Sequence, residues 1–187
     1  KLDKLGKNTM DNQKKNIALM GHMGSGKSVL GKLISKQLNF NHVDSDKLIE
    51  KKSNKTINEI FQTKGESYFR LIEENVILET IYQKKLVLSL GGGSILSPKI
   101  RKALKGNFLT VFLDVDFAIL SKRLIKSKRR PLINDTNIEE KIKELDAIRR
   151  KFYLLADITL KNHLTITDAF AEFRKKYIEF YEKYNSN

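Results

Sequence analysis

Short apolar runs along this chain alternate with stretches in which apolar residues recur every three or four positions. That alternation predicts strands and helices taking turns, the pattern of a parallel α/β sheet. 'NIALM' (16–20) reads as a buried strand. It feeds a glycine-rich turn and then 'KSVLGKLISKQL' (27–38), where Val29, Leu30, Leu33, Ile34 and Leu38 fall at helical spacing. 'NHVD' (41–44) is a weaker second strand, residues 46–83 are mainly helical, and 'LVLSL' (86–90) is a third strand stopped by three glycines. 'FLTVFLD' (108–114) is the fourth strand and 'DFAILSKRLIKS' (116–127) the helix after it. 'RRPLINDTN' (129–137) is polar and carries a proline, so it reads as a mobile loop. A helix over 138–153, a short fifth strand 'DITL' (157–160) and a helix over 166–184 follow. This last helix lines up Ile166, Ala169, Phe170, Phe173, Tyr177, Phe180, Tyr181 and Tyr184 on one face, a stripe made for core packing.

Composition narrows the class. The 187 residues, 40% of them apolar, suffice for one folded domain with a sizeable core. Cysteine is absent, which excludes a disulfide framework and any cysteine-based metal site. No run reaches the roughly 18 apolar residues of a membrane span. The opening 'KLDKLGKNTMDNQKKN' is polar and basic and lacks the apolar core of a secretory signal. Residues 1–15 are therefore expected to be a disordered basic tail, with Met10 a candidate start, and residues 16–184 one domain. A cytoplasmic monomer is the expectation. The net charge of +14 favours anionic partners. The basic residues are nevertheless dispersed, without an RNP-like aromatic pattern or zinc-finger spacing, so neither a nucleic-acid module nor a membrane partner is expected.

The chemistry begins at 'GHMGSGKS' (21–28), which fits G-x-x-x-x-G-K-[ST] between a strand and a helix. Glycines there let consecutive backbone N–H groups turn toward phosphate oxygens, and the helix adds its positive N-terminal end. Lys27 would reach the β- and γ-phosphates and the Ser28 hydroxyl would ligate Mg²⁺. 'DSD' (44–46) ends the second strand, where sites gather in parallel sheets. Asp44 is a candidate to hold Mg²⁺ through water, and Asp46 to accept a hydrogen bond or proton from an attacking hydroxyl. The same residues also suit capping of a following helix. Arg70 lies on a predicted helix with Glu66, Glu73 and Glu74 at neighbouring turns, so it reads either as part of an ion-pair ladder or as a bidentate ligand for a carboxylate. Three glycines in 'LSLGGGSIL' exceed the needs of one turn and suggest close approach of a ligand to the backbone. Arg123, Arg129 and Arg130 surround the mobile loop, where a closing arginine can meet a transferring phosphate and an arginine can stack on adenine. A solvated basic loop is the plainer reading.

In order, the phosphate loop, 'DSDKLIE', 'INEIFQTKGESYFRLIEENV', 'LSLGGG', 'RRPL' and the arginine four before a tyrosine in 'RRKFYLLAD' resemble the shikimate kinase family, over about residues 16 to 180. The resemblance implies a three-layer α/β/α fold with a five-stranded parallel sheet, like that of the nucleoside monophosphate kinases. It also implies a substrate-binding part at about 44–75 and a lid at about 125–137. The implied activity is ATP-dependent phosphorylation of the shikimate 3-hydroxyl, in aromatic amino-acid biosynthesis. Gly24, Ser25, Gly26, Lys27, Ser28 and Val29 would hold the ATP phosphates, with Ser28 and Asp44 at the Mg²⁺. Asp46 would contact the shikimate ring hydroxyls as candidate base. Arg70 and Arg149 would grip its carboxylate, and Gly92 and Gly93 would contact its ring hydroxyls. Arg130 would reach the phosphates from the lid and Arg123 would flank the adenine. The family usually has threonine where Val29 stands and a proline missing from 'RRKFY', which leaves Arg150 as an alternative to Arg149; Arg129 is likewise an alternative to Arg130. Rival readings are another small-molecule kinase of this fold, for gluconate or a nucleoside monophosphate, and a kinase-like nucleotide-binding protein without turnover.

Overall fold

The structure is a computed structural model and describes residues 14–126, 137–161 and 165–185. Five parallel strands form one sheet in the order β2-β3-β1-β4-β5: β1 Asn16–Met20, β2 Asn41–Asp44, β3 Leu86–Ser89, β4 Phe108–Asp114 and β5 Ile158–Lys161. Register is set by pairs such as Leu19 with Ser89, Asp44 with Ser89 and Met20 with Phe112. All residues of β1 and β3 are buried, and all of β4 but its last. Near-continuous apolar runs are what strands covered on both faces require.

The helices among the described residues are α1 Lys27–Leu38, α2 Ser45–Ser53, α3 Ile57–Thr80, α4 Pro98–Asn107, α5 Phe117–Ile125, α6 Ile138–Tyr153 and α7 Ile166–Asn185. None of them is long and apolar enough to cross a membrane. On one face of the sheet, Ile17, Leu19, Val87 and Val111 pack against Leu30 and Ile34 of α1 and Phe173 and Tyr181 of α7. On the other, Ala18, Met20, Leu88 and Phe112 pack against Ile77 of α3, Ile100 and Leu104 of α4 and Tyr153 of α6. The result is three layers, α/β/α. The α7 stripe packs as the sequence predicts at Ala169, Phe173 and Tyr181, which are buried, and at Ile166, Phe170, Tyr177 and Phe180, which are partly so; the Tyr184 side chain lies outside the described residues.

The predicted helical stretch 46–83 divides in two. Asp44 caps α2, accepting from the Lys47 N–H at 3.2 Å. Thr56 caps α3 through a reciprocal pair: the Glu59 N–H donates to its hydroxyl oxygen at 3.2 Å and its own N–H donates to the Glu59 carboxylate at 2.7 Å. Within α3, Gly65 has φ 80 and ψ 174, a break that re-aims the second half carrying Arg70. Helix α4 has no counterpart in the pattern reading. Its start is nonetheless written in Ser97 and Pro98: the serine oxygen accepts from the Ile100 N–H at 3.2 Å and the proline occupies the first turn. In α1, Gly31 faces the sheet so closely that a Cβ there would lie 2.6 Å from His42 Nε2 and 2.7 Å from Ser89 Oγ.

Candidate active site

The site lies along the carboxyl ends of β1, β2 and β3, where the chain leaves the sheet in opposite directions. The turn after β1 uses positive φ at Gly21, Gly24 and Gly26, with values of 142, 77 and 97. Only glycine takes these readily, and they make the loop wrap around the start of α1. Lys27 is buried and donates from Nζ to the carbonyls of Gly21 at 2.8 Å and His22 at 2.7 Å, with Ser25 Oγ at 3.4 Å. Those carbonyls hold the ammonium inside the curve of the loop. Val29 exposes its side chain, and its N–H bonds the Gly26 carbonyl at 3.1 Å. Arg123 of α5 reaches the loop, donating from Nη1 to the Gly24 carbonyl at 3.2 Å.

At the end of β2, one carboxylate does two jobs. Asp44 Oδ1 caps α2, while Oδ2 accepts the Ser28 hydroxyl. The capping reading of 'DSD' holds, and the same carboxylate meets the serine hydroxyl of the phosphate loop. Between the two aspartates, Ser45 is 1% exposed and its oxygen accepts the Gly91 N–H at 2.8 Å. That bond fastens the 'DSD' corner to the glycine turn after β3, and neither motif alone announces it. Asp46 comes to the same place: a Cβ on Gly91 would lie 2.6 Å from its Oδ1.

Arg70 arrives at this turn from α3. Its guanidinium lies over Gly93, where a Cβ would meet Nη1 at 2.4 Å and Cζ at 2.6 Å. Glu73 takes Nη1 at 2.7 Å, and Glu66 takes Nη2 at 2.9 Å and Nε at 3.1 Å. Burial works against the charge on Arg70, but Glu73 and Glu66 outweigh it and hold the guanidinium protonated beyond its ordinary range. Glu73 is 2% exposed and also accepts from the Ser94 hydroxyl at 2.6 Å, so it fixes both the arginine and the turn. The third expected rung of the ladder is not there. Glu74 points instead to Lys99 at 2.8 Å and Ser97 at 2.6 Å, bracing α4.

The structure separates Arg149 from Arg150. Arg149 of α6 is 5% exposed and comes to Gly92, where a Cβ would lie 3.3 Å from its Nη1 and 3.4 Å from the Gly21 carbonyl oxygen. Its Nε has no hydrogen-bond partner among the described residues. Arg150 turns elsewhere, donating to both oxygens of Asp114 at 3.2 and 3.0 Å beside an open cleft of about 310 Å³ lined also by Asp116, Phe117 and Lys161. Tyr153, four residues after Arg149, donates to the Gly92 carbonyl at 2.5 Å, and burial pushes its phenol up to about 12. Pattern reading singled out this tyrosine only as a motif partner, because its contact runs from the end of α6 to the end of β3. Arg129 and Arg130 lie outside the described residues, as does most of the expected lid.

Gly92 thus stands between the phosphate loop and Arg149, with Gly91 against Asp46 and Gly93 against Arg70. A cradle for phosphates and a pair of arginines beside bare backbone and a carboxylate meet at three consecutive residues. No group of three or more His, Cys, Asp or Glu side chains among the described residues forms a metal cage. Ser28 and Asp44 offer hard oxygen donors only, which suits an ion that keeps water and phosphate in its shell.

A family model described as shikimate kinase matches residues 23–179. The chain is similar to the shikimate kinase of Thermoanaerobacter pseudethanolicus, at 36% identity over 165 residues, covering 88% of this chain and 96% of that protein. It is similar to that of a Sulfurihydrogenibium species at 43% over 146 residues, covering 78% and 87%. Among solved structures it matches shikimate kinase from Acinetobacter baumannii in complex with shikimate, with a TM-score of 0.83, 33% identity and coverage of 90% and 94%. With the fold, the phosphate loop and the arginine-flanked glycine turn in place, the chain belongs to the shikimate kinase family.

Proposed function

We infer that this protein transfers the γ-phosphoryl group of ATP to the 3-hydroxyl of shikimate, in aromatic amino-acid biosynthesis. The observation that carries the reading is the glycine turn, at which Asp46, Arg70 and Arg149 come together beside the phosphate loop. A polyhydroxylated carboxylic acid asks for such a set: cations for its carboxylate, an acceptor for its hydroxyl and bare backbone for close approach. The Arg149 Nε, buried without a partner among the described residues, is a donor that an incoming carboxylate could satisfy.

Each residue then has a task. Gly24, Ser25, Gly26 and Val29 hold the phosphates from the turn at the N-terminus of α1. Lys27 leaves the carbonyls of Gly21 and His22 for the β/γ-phosphate oxygens. Ser28 and Asp44 would hold Mg²⁺, which when bound would neutralise charge on the phosphates. Arg70 and Arg149 fix the acceptor by its carboxylate, Gly92 and Gly93 allow its ring hydroxyls to approach, and Asp46 takes the proton of the attacking hydroxyl. Arg123 flanks the adenine and Arg130 meets the transferring phosphate. The protein works as a cytoplasmic monomer.

ADP release measured with shikimate, gluconate and AMP as acceptors tests the reading, and only shikimate should support turnover. Arg70→Ala should weaken shikimate binding far more than ATP binding. Turnover on gluconate or AMP instead of shikimate, or an Arg70→Ala variant with both affinities unchanged, overturns it.

A further inference from the structure

His22 is the second residue of the phosphate loop, and its two ends face different partners. Its carbonyl accepts from Lys27 Nζ at 2.7 Å and from the Ser25 N–H at 3.2 Å, so its backbone helps shape the loop. Its ring reaches across to α6, with Nε2 2.8 Å from Asp146 Oδ1. Both side chains are buried, at 5% and 9% exposure. The ring is boxed edge-on by Tyr153, 5.2 Å away, and Phe117, 6.4 Å away, so it has little freedom to turn. Burial holds the imidazole below its ordinary pKa, with Asp146 opposing and the charges of Arg149 and Lys27 adding to the depression. Facing a carboxylate oxygen at this distance, Nε2 carries a proton and donates it to Asp146. Asp146 also faces Arg150 Nη1 at 3.5 Å.

Asp146 stands three residues before Arg149, and Tyr153 follows four residues later, so all three lie on one stripe of α6. The first ties the helix to the phosphate loop. The third ties it to the glycine turn through the Gly92 carbonyl. Arg149 sits between these two ties.

We propose that His22 and Asp146 are positioning residues, whose hydrogen bond sets the phosphate loop against the helix bearing Arg149 and so fixes the spacing between the phosphate site and the carboxylate site. This rests on the reading of Arg149 given above. Their side chains are occupied with each other inside the protein. They act through Lys27, whose resting contacts include the His22 carbonyl, and through Arg149. A pair that merely fills the interior would change stability alone.

The test is a double-mutant cycle of Asp146→Ala, His22→Phe and the double variant, with Asp146→Asn as the conservative replacement. It reads KM for ATP and for shikimate, the Kd for ADP by calorimetry, and Tm. Asp146→Ala and His22→Phe should each raise both KM values and the ADP Kd by roughly fivefold or more, the worth of one hydrogen bond. The double variant should be no worse than the poorer single one, because one contact is lost either way. Asp146→Asn keeps a carbonyl oxygen for the Nε2–H and should return all three constants to within about twofold of the parent. Variants that lower Tm but leave the constants unchanged overturn the proposal. So do effects that multiply in the double variant. Wild-type turnover on shikimate tests the parent reading separately. ADP affinity needs no acceptor, so it tests the pair whatever the acceptor is.

Discussion

Replacing Gly93 by alanine separates what the turn needs for folding from what it needs for binding. The backbone there has φ −94 and ψ −12, which any residue adopts, so the added methyl brings no main-chain strain. Its cost is local. The new Cβ would sit 2.4 Å from Arg70 Nη1, 2.5 Å from Nη2 and 2.6 Å from Cζ. Carbon contacts settle near 3.5 Å, so the guanidinium must retreat by about 1 Å. It cannot retreat freely, because Glu73 and Glu66 hold it at 2.7 and 2.9 Å. Losing or misplacing one charge-assisted hydrogen bond to the substrate carboxylate costs about 1.5–3 kcal/mol, or roughly 10- to 150-fold in kcat/KM for shikimate. On the proposed reading ATP binds at the phosphate loop, away from Arg70, and its KM should change by less than about twofold. A coupled ADP-release assay with each substrate varied in turn measures both, and thermal denaturation should show a loss of no more than about 1 kcal/mol. Unchanged shikimate kinetics, or an equal change for both substrates, would refute the placement of Arg70 over Gly93.

Lys27→Ala should leave the circular-dichroism spectrum intact and reduce kcat by at least about 10²-fold, since it removes one preorganised cation from the phosphates; full turnover would sink the phosphate-loop mechanism. Ser45→Ala strands the buried Gly91 N–H, which should cost about 1–3 kcal/mol, or roughly 3–10 °C in Tm, and raise the shikimate KM; a Tm within about 1 °C of wild type would mean the N–H finds another acceptor. The Tyr153 phenol, raised to about 12 by burial, stays protonated in the fold above pH 10, where the unfolded chain begins to ionise. Its contribution is therefore full below pH 10 and is lost as pH rises toward about 12, so Tm should fall over that range less steeply in Tyr153→Phe than in wild type. Parallel slopes would contradict this.

Strands were legible because burial on both faces leaves apolar runs, as in 'NIALM' and 'FLTVFLD', and these match β1 and β4. Helix α1 was legible to its ends, with the phosphate loop before it and Asn39 in the left-handed region after it. Helix α4 escaped because only Ile100, Ala103 and Leu104 carry its apolar face; the cap and proline at Ser97 and Pro98 were the better signal. Among the candidate site residues, those with a chemical signature could be picked out along the chain, and the structure brings them to one end of the sheet: Lys27, Ser28, Asp44, Asp46 and Arg70. Spacing along one helix set Glu73 and Glu74 alike beside Arg70, and only packing against α4 parts them. Neighbouring arginines have the same chemistry, so Arg149 and Arg150 differ only by the 100° that separates them around α6. Ser45, Asp146 and Tyr153 act through partners 46, 124 and 61 residues away, and no local pattern encodes such a contact.

Gly31 is no candidate for binding or catalysis, yet it governs how closely Ser28 meets Asp44. It follows Ser28 by three residues, on the side of α1 turned toward His42 and Ser89. A single methyl there would act as a shim, lifting the helix from β2 and drawing the serine hydroxyl off Asp44. The candidate site residues would all be intact, but on the proposed reading the enzyme would need more Mg²⁺ to work. A screen that looks only at reactive side chains would pass over the position that sets their fit.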